Sequence, residues 1–201
     1  MGLATVQFLQ IRFLCPYAFK VSMLNLSENF AQLKKLFSTR NSDGLKQFAA
    51  ETSQRALEYS DAKSAQFAIV AYALAKLLEK PYIVQSKRWK KFSLILLERL
   101  STGARCREDA FACGDTLSAI MQEMDDLSSD LGRFVVSVVE KAKIKTATQI
   151  YAHGASIGRA IELTGADRKE LLGYIGATRL PEHYESKSVS QRLAFADKLF
   201  K

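Results

Sequence analysis

The sequence predicts an all-α protein, a multi-helix bundle that closes on a compact unit of three short helices. Three observations carry the prediction. The 201 residues hold only three prolines and ten glycines, too few turn formers for a β-sandwich, and they are rich in the helix formers Ala, Leu, Lys and Glu. Apolar residues recur at three- and four-residue steps through most of the chain, the period of an amphipathic helix. Residues able to cap a helix, among them Asp61 and Ser156, stand just ahead of these periodic segments. A chain of this length buries a real core, as one larger domain or as a main domain with a small appended one.

Residues 1–22 read as an N-terminal extension. Gln7, Gln10 and Arg12 interrupt its apolar run and no basic segment leads it, so neither a secretory signal nor a membrane span is expected. Translation starting at Met23 would leave this stretch poorly packed and poorly ordered; the alternative is a short helix or strand docked on the body. A helical body over 23–140 follows. Asn25 or Ser27 is the expected cap of a helix that buries Phe30, Leu33, Leu36 and Phe37, and a turn over 38–44 ends it. A second helix starts near Asp43, buries Leu45, Phe48, Ala49, Thr52, Ala56 and Leu57, and stops near Ser60. Asp61 caps a third over 62–79, with Ala65, Ala68, Ile69, Tyr72, Ala73, Lys76 and Leu77 on successive turns, and Pro81 ends it by pushing Lys80 out of the α region.

The fourth helix is expected over 86–100, with Trp89, Phe92, Leu96 and Leu100 as its buried stripe and Lys87, Arg88, Lys90 and Lys91 on its other side. A fifth, over 109–124, turns Phe111, Leu117, Ile120, Met121 and Met124 inward. The run 125–130 reads as the cap of a sixth, which holds Leu131, Phe134, Val135, Val138 and Val139. Its β-branched cluster could build a strand, but helix formers flank it and no strand partner is in sight. Helices two to four, joined by short loops, form an antiparallel set, and no fixed repeat period stands out.

The net charge of +8 favours anionic partners, and its distribution says more. Lys and Arg less Asp and Glu leaves +2 over 1–22, +6 over 23–100, −5 over 101–140 and +5 over 141–201. Two basic stretches thus flank an acidic one. Cys15, Cys106 and Cys113 are an odd number without CxxC spacing, and with only His153 and His183 beside them they suggest neither a disulfide framework nor a zinc site. A reducing cytoplasm fits that usage. No catalytic constellation emerges, and neither an enzyme nor a cofactor is expected. Asp125, Asp126 and Asp130 read as capping and solvated residues rather than metal ligands, and the segment 154–158 lacks the Gly-Lys-Ser/Thr and the preceding strand of a phosphate loop.

From Lys141 the texture changes, and 141–201 reads as a separate region. Residues 141–152 form a basic amphipathic helix with Ile144, Ala147, Ile150 and Tyr151 on one side and Lys141, Lys143 and Lys145 on the other. His153 and Gly154 close it. Ser156 caps a short helix over 157–164, and Gly165 makes a tight turn that needs a positive φ. Asp167, with Glu170 three places on, opens a last helix over 168–177 like a capping box. That helix turns Leu171, Leu172 and Ile175 inward and leaves Arg168 and Lys169 exposed at its start. Beyond Pro181 come a polar linker and a closing amphipathic helix over 189–201.

A short helix, a glycine turn and a second helix with polar residues first is a helix-turn-helix-like plan. Tyr151, Gly154, Ser156, Gly158 and Ala160, followed by Glu162-Leu163-Thr164-Gly165 and then Glu170-Leu171, resemble the tri-helical helix-turn-helix DNA-binding domains of small prokaryotic regulators and antitoxin-like proteins, archaeal ones above all. The resemblance covers about forty residues, 141–179. Ile161 stands where such domains usually carry alanine, which is expected to open the angle between the helices. The resemblance implies a transcriptional regulator or antitoxin-like factor. Arg168 and Lys169 would then approach bases or phosphates, Ser156 and Arg159 would touch the backbone, and Thr178 and Arg179 would lie along the phosphates. Nucleic acid is the expected partner, DNA ahead of RNA, with no membrane involved, and the body is expected to hold a second copy of the chain or another protein. The alternative is a non-enzymatic α-helical adaptor, RNA- or ribosome-associated, that binds through Lys87, Arg88, Lys90 and Lys91 around Trp89, since aromatic rings among cations suit single strands.

Overall fold

A computed structural model describes residues 16–105, 110–131 and 133–177, without the side chains of 16–25, 110–115, 125, 128–131 and 133–137. Among the described residues every regular element is an α-helix, so the fold is all-α, a multi-helix bundle. Helix α1, Pro16–Ser38, starts well ahead of the expected caps Asn25 and Ser27. Proline at the first helical position sacrifices no hydrogen bond, and no glycine or proline follows before Ser38. The segment 16–22, expected to be extension, is therefore helical.

Caps explain most of the next boundaries. In α2, Ser42–Glu58, the Asn41 Oδ1 accepts from the Gly44 amide at 2.8 Å. In α3, Ala62–Leu78, the Asp61 carboxylate accepts from the Lys63 and Ser64 amides at 3.0 and 3.1 Å, as its position predicts. Pro81 ends α3 and also opens a single turn, α4, Pro81–Val84, which buries Ile83. The Ser86 hydroxyl accepts from the Trp89 amide at the start of α5, Lys87–Arg105.

Two further expectations on helix boundaries are overturned. Helix α6, Ala110–Leu131, continues through the run 125–130 that was expected to cap a new helix. Leu117, Ile120, Met124 and Leu127 are all buried, and packing of this continuous stripe outweighs the mild capping preference of Asp and Ser. Likewise, the helices expected on either side of residue 140 are one helix, α7, Arg133–Ala152. It contains no glycine or proline, and its buried positions run from Val138 to Ile150. The short helices α8, Ile157–Thr164, and α9, Arg168–Ala177, complete the described chain. The closing helix expected over 189–201 and the inward positions of Phe111, Leu131, Phe134 and Val135 lie outside the described residues and side chains.

Helix α3 is the axis of the bundle and packs against α1, α2, α6, α7 and α8. The expected single stripe is exceeded: Phe67, Val70, Ala71, Leu74 and Ala75 are buried as well. Its alanines keep the helix slim enough for neighbours on most sides. Tyr72 and Lys76 sit at the remaining half-buried edge, with the Lys76 ammonium 5.6 Å from the Tyr72 ring centre. A large apolar cluster fills the space between α1, α2, α3, α5, α6 and the first half of α7. A smaller one joins the second half of α7 to α8 and α9, and it draws in Ala56 of α2 and Ala65 of α3. The Lys141 region therefore shares its core with the body.

Among the described residues, three helix ends close with the paired hydrogen bonds of a Schellman motif. At Gly154, φ 102°, the Ala155 and Gly154 amides donate to the Ile150 and Tyr151 carbonyls. The other two place Arg40 and Ser60, both at φ 52°, where glycine is usual. A left-handed conformation costs a non-glycine residue about 1 kcal/mol or more.

On the surface, Glu79 accepts from Lys46 at 2.6 Å and from Lys76 at 3.0 Å, and Lys46 also reaches Asp43 at 3.0 Å. The bond from Lys46, then that from Lys76, holds the Glu79 carboxyl below its ordinary 4.5 against a smaller opposing effect of burial. The bonds to Glu79 and Asp43 raise the Lys46 ammonium above 10.5. A depressed carboxyl stabilises the fold above its unfolded value and loses that contribution as pH falls through the folded one. Glu79→Gln is thus expected to lower the Tm slightly at neutral pH. The difference from wild type should fade below pH 4.5; a constant difference across an acid titration of Tm would remove the pairing as its cause. Among the described residues no helix is long and apolar enough to cross a membrane.

Candidate nucleic-acid interface

The geometry of α7, α8 and α9 follows from local chemistry. Ser156 is extended, with φ −69° and ψ 154°, and its hydroxyl accepts from the Arg159 amide at 3.1 Å, which starts α8. Gly165, at φ 65°, ends it, donating its amide to the Ile161 carbonyl at 2.8 Å. The Thr164 hydroxyl donates back to Ala160 at 2.7 Å and accepts from the Ala166 amide at 3.3 Å, so the turn is braced from within. Asp167 Oδ1 then accepts from the Glu170 amide at 2.9 Å and opens α9. Only this half of the expected capping box forms; Glu170 is exposed.

Gly165 alone accounts for the sharpness of this turn. A Cβ built there meets nothing within 4 Å, so substitution strains the backbone without a clash. Gly165→Ala is expected to cost about 1 kcal/mol and Gly165→Asn clearly less, because asparagine tolerates the left-handed region. Urea unfolding of the two variants checks the order, and equal losses would mean that the left-handed turn is not what sets the cost.

Leu171 is fully buried and anchors α9 beside α7, with Ile175 half-buried behind it. Leu172, expected inward, is 43% exposed. It lies about 100° around the helix from Leu171, beyond the strip that faces α7. Arg168 and Lys169, on the first turn of α9, are exposed as expected, and neither pairs with an acidic side chain among the described residues. They share the helix's positive end, which favours an anion.

Arg159, expected to touch a nucleic-acid backbone, has partners within the chain. Its guanidinium pairs with Glu162 at 2.6 Å and donates to the Ser60 carbonyl at 3.4 Å, at the corner between α2 and α3. Ser60 is the left-handed residue of that corner, and through its carbonyl Arg159 ties α8 to the body. Ser53 and Gln149 add a second link between α2 and α7 at 3.1 Å. Ser156 is exposed, but its oxygen is engaged as the cap of α8. Thr178 and Arg179 lie outside the described residues. The sequence held no signal for Ser60, because the tether joins positions 99 residues apart.

The second basic face is on α5, where Lys87, Arg88, Lys90 and Lys91 are all exposed. Trp89 is not among them at the surface: it is 3% exposed and packs against Phe37 and Phe92, ring centres 6.0 and 5.4 Å away. An indole exposed among cations is therefore absent, because the Trp89 ring is packed into the core. Among the described residues no group of three or more His, Cys, Asp or Glu side chains converges as a metal would require.

The arrangement that remains is a pair of short helices joined by a braced glycine turn and fixed to a helical body, the second helix led by two cations that are unpaired among the described residues. Comparison with protein-family models, curated proteins and solved structures gives no match.

Proposed function

We propose that the protein binds nucleic acid, DNA ahead of RNA, through the first turn of α9, as a transcriptional regulator or antitoxin-like factor. The observation that carries this reading is the exposure of Arg168 and Lys169, without acidic partners among the described residues, at the start of a helix whose position is fixed by buried Leu171 and the left-handed Gly165. Phosphates would meet two cations and the positive end of the helix together, and Arg168 can also pair two donors with guanine. The charge excess over 141–201 adds attraction at longer range. Arg159 acts from behind, by holding α8 on the α2–α3 corner.

The test is competition binding to a duplex at fixed salt with Arg168→Ala and Lys169→Ala. Weaker binding by each variant, together with a steep loss of wild-type affinity as salt rises, supports the reading. Unchanged affinity in both removes α9 as the binding element. An RNA duplex or single strand that outcompetes the DNA duplex would shift the choice of polyanion and keep the site.

A further inference from the structure

We propose that a groove between α1, α3, α4 and α5 is a binding site for a small amphiphilic carboxylate, an apolar ring or short chain ending in an anionic head. The inference is independent of the nucleic-acid reading. The groove is partly open to solvent, offers about 220 Å³ and is lined by Phe37, Leu78, Val84, Trp89 and Leu97, with Ser38, Arg40, Lys90 and Ser93 completing it. Phe37 and Trp89 form a buried aromatic floor, while Leu78, Val84 and Leu97 are only half-buried and supply apolar walls that still face water. A cavity of about 150 Å³ with an apolar lining holds benzene, so this volume suits one substituted ring or a short acyl chain and is too small for a drug-sized ligand.

The charges set the chemistry of the head group. Arg40 and Lys90 are exposed, come from different elements, and have no acidic partner among the described residues. Among the described residues no carboxylate lines the groove, so it complements an anion and disfavours a cation. Arg40 also holds a left-handed conformation at φ 52° where glycine would be relaxed. An arginine kept at a strained position beside a concave apolar surface is the kind of outlier from which a role can be argued.

Trp89 is the only tryptophan in the chain, so its emission reports the floor of the groove directly. Titration of the full-length protein with 4-phenylbutyrate is expected to give a saturable emission change, with a dissociation constant on the order of 0.1 to 1 mM. 4-Phenylbutanol should bind about tenfold more weakly, since it lacks the charge that Arg40 and Lys90 recognise. Arg40→Gly, which keeps the backbone conformation, and Lys90→Ala should each weaken the acid by about fivefold and leave the alcohol unchanged. Both residues are on the surface, so both variants are expected to fold, and circular dichroism checks this. The proposal is overturned by no saturable change up to about 10 mM, by equal binding of acid and alcohol, or by an emission response to a DNA duplex without one to phenylbutyrate.

Discussion

Replacing both Arg168 and Lys169 by glutamate is expected to weaken binding to a mixed-sequence DNA duplex by about two orders of magnitude or more, and to flatten its salt dependence by about two counterions. Each cation that neutralises a phosphate releases roughly one condensed counterion, so the slope of log affinity against log salt reports how many phosphates the protein neutralises. Glutamate also sets a negative charge against both the polyanion and the helix's own positive end, which makes reversal costlier than truncation. The fold should persist, because both side chains are exposed and unpaired among the described residues. Anisotropy titrations at several salt concentrations, beside a thermal melt, separate the two effects. An affinity and slope equal to wild type, at unchanged Tm, would rule out α9 as the binding element. Arg159→Ala provides the contrast: its guanidinium is tied to Glu162 and Ser60, so it should lower stability first and affinity only as far as α8 loosens.

The largest effect on stability is expected at Gly103. A Cβ there would stand 2.6 to 2.7 Å from three carbons of the Phe30 ring. Phe30 cannot retreat freely: it is fully buried and meets Phe67 edge-on, with ring centres 4.7 Å apart and planes at 73°. Gly103→Ala should therefore destabilise by about 1 to 3 kcal/mol despite the gain of about 1 kcal/mol in helix propensity, because the clash has to move α1 away from α5 or force Phe30 off its rotamer. For a chain of this size that corresponds to roughly 3 to 10 °C in Tm. Gly173 and Gly176 supply the opposite sign. A Cβ at either meets nothing within 4 Å, so alanine there should stabilise by about 0.5 to 1 kcal/mol. Pairing Gly103→Ala with Phe30→Leu should recover part of the loss, which a double-mutant cycle measures. A Gly103→Ala melt at or above the wild-type Tm would mean that α1 and α5 do not meet at this point.

The site was legible in part. Ser156, Gly165 and Asp167 announce α8, its end and the start of α9, because a cap or a left-handed turn is settled by hydrogen bonds within about four residues. The exposure of Arg168 and Lys169 follows from their place ahead of the apolar positions. The commitment of Arg159 did not follow, since Ser60 is far away in the chain, and the burial of Trp89 was visible only as half of an ambiguity. Its spacing with Phe92 and Leu96 pointed inward and its cationic neighbours pointed outward; the aromatic packing with Phe37 and Phe92 decides for the core.

By itself the sequence determined that this chain is helical, that Asp61, Ser156 and Asp167 cap three of its helices, and which stripes, such as Phe30, Leu33 and Phe37 or Phe92, Leu96 and Leu100, lie inside. Those features depend on neighbours one or two turns away. The tertiary structure decided that α3 is enclosed on most sides, that α6 and α7 run on where breaks were expected, that α8 is tethered to the α2–α3 corner, and that Arg40 lines a groove floored by Phe37 and Trp89. Each of these is set by surfaces contributed from distant segments, whose packing outweighs the few tenths of a kcal/mol by which local preferences differ.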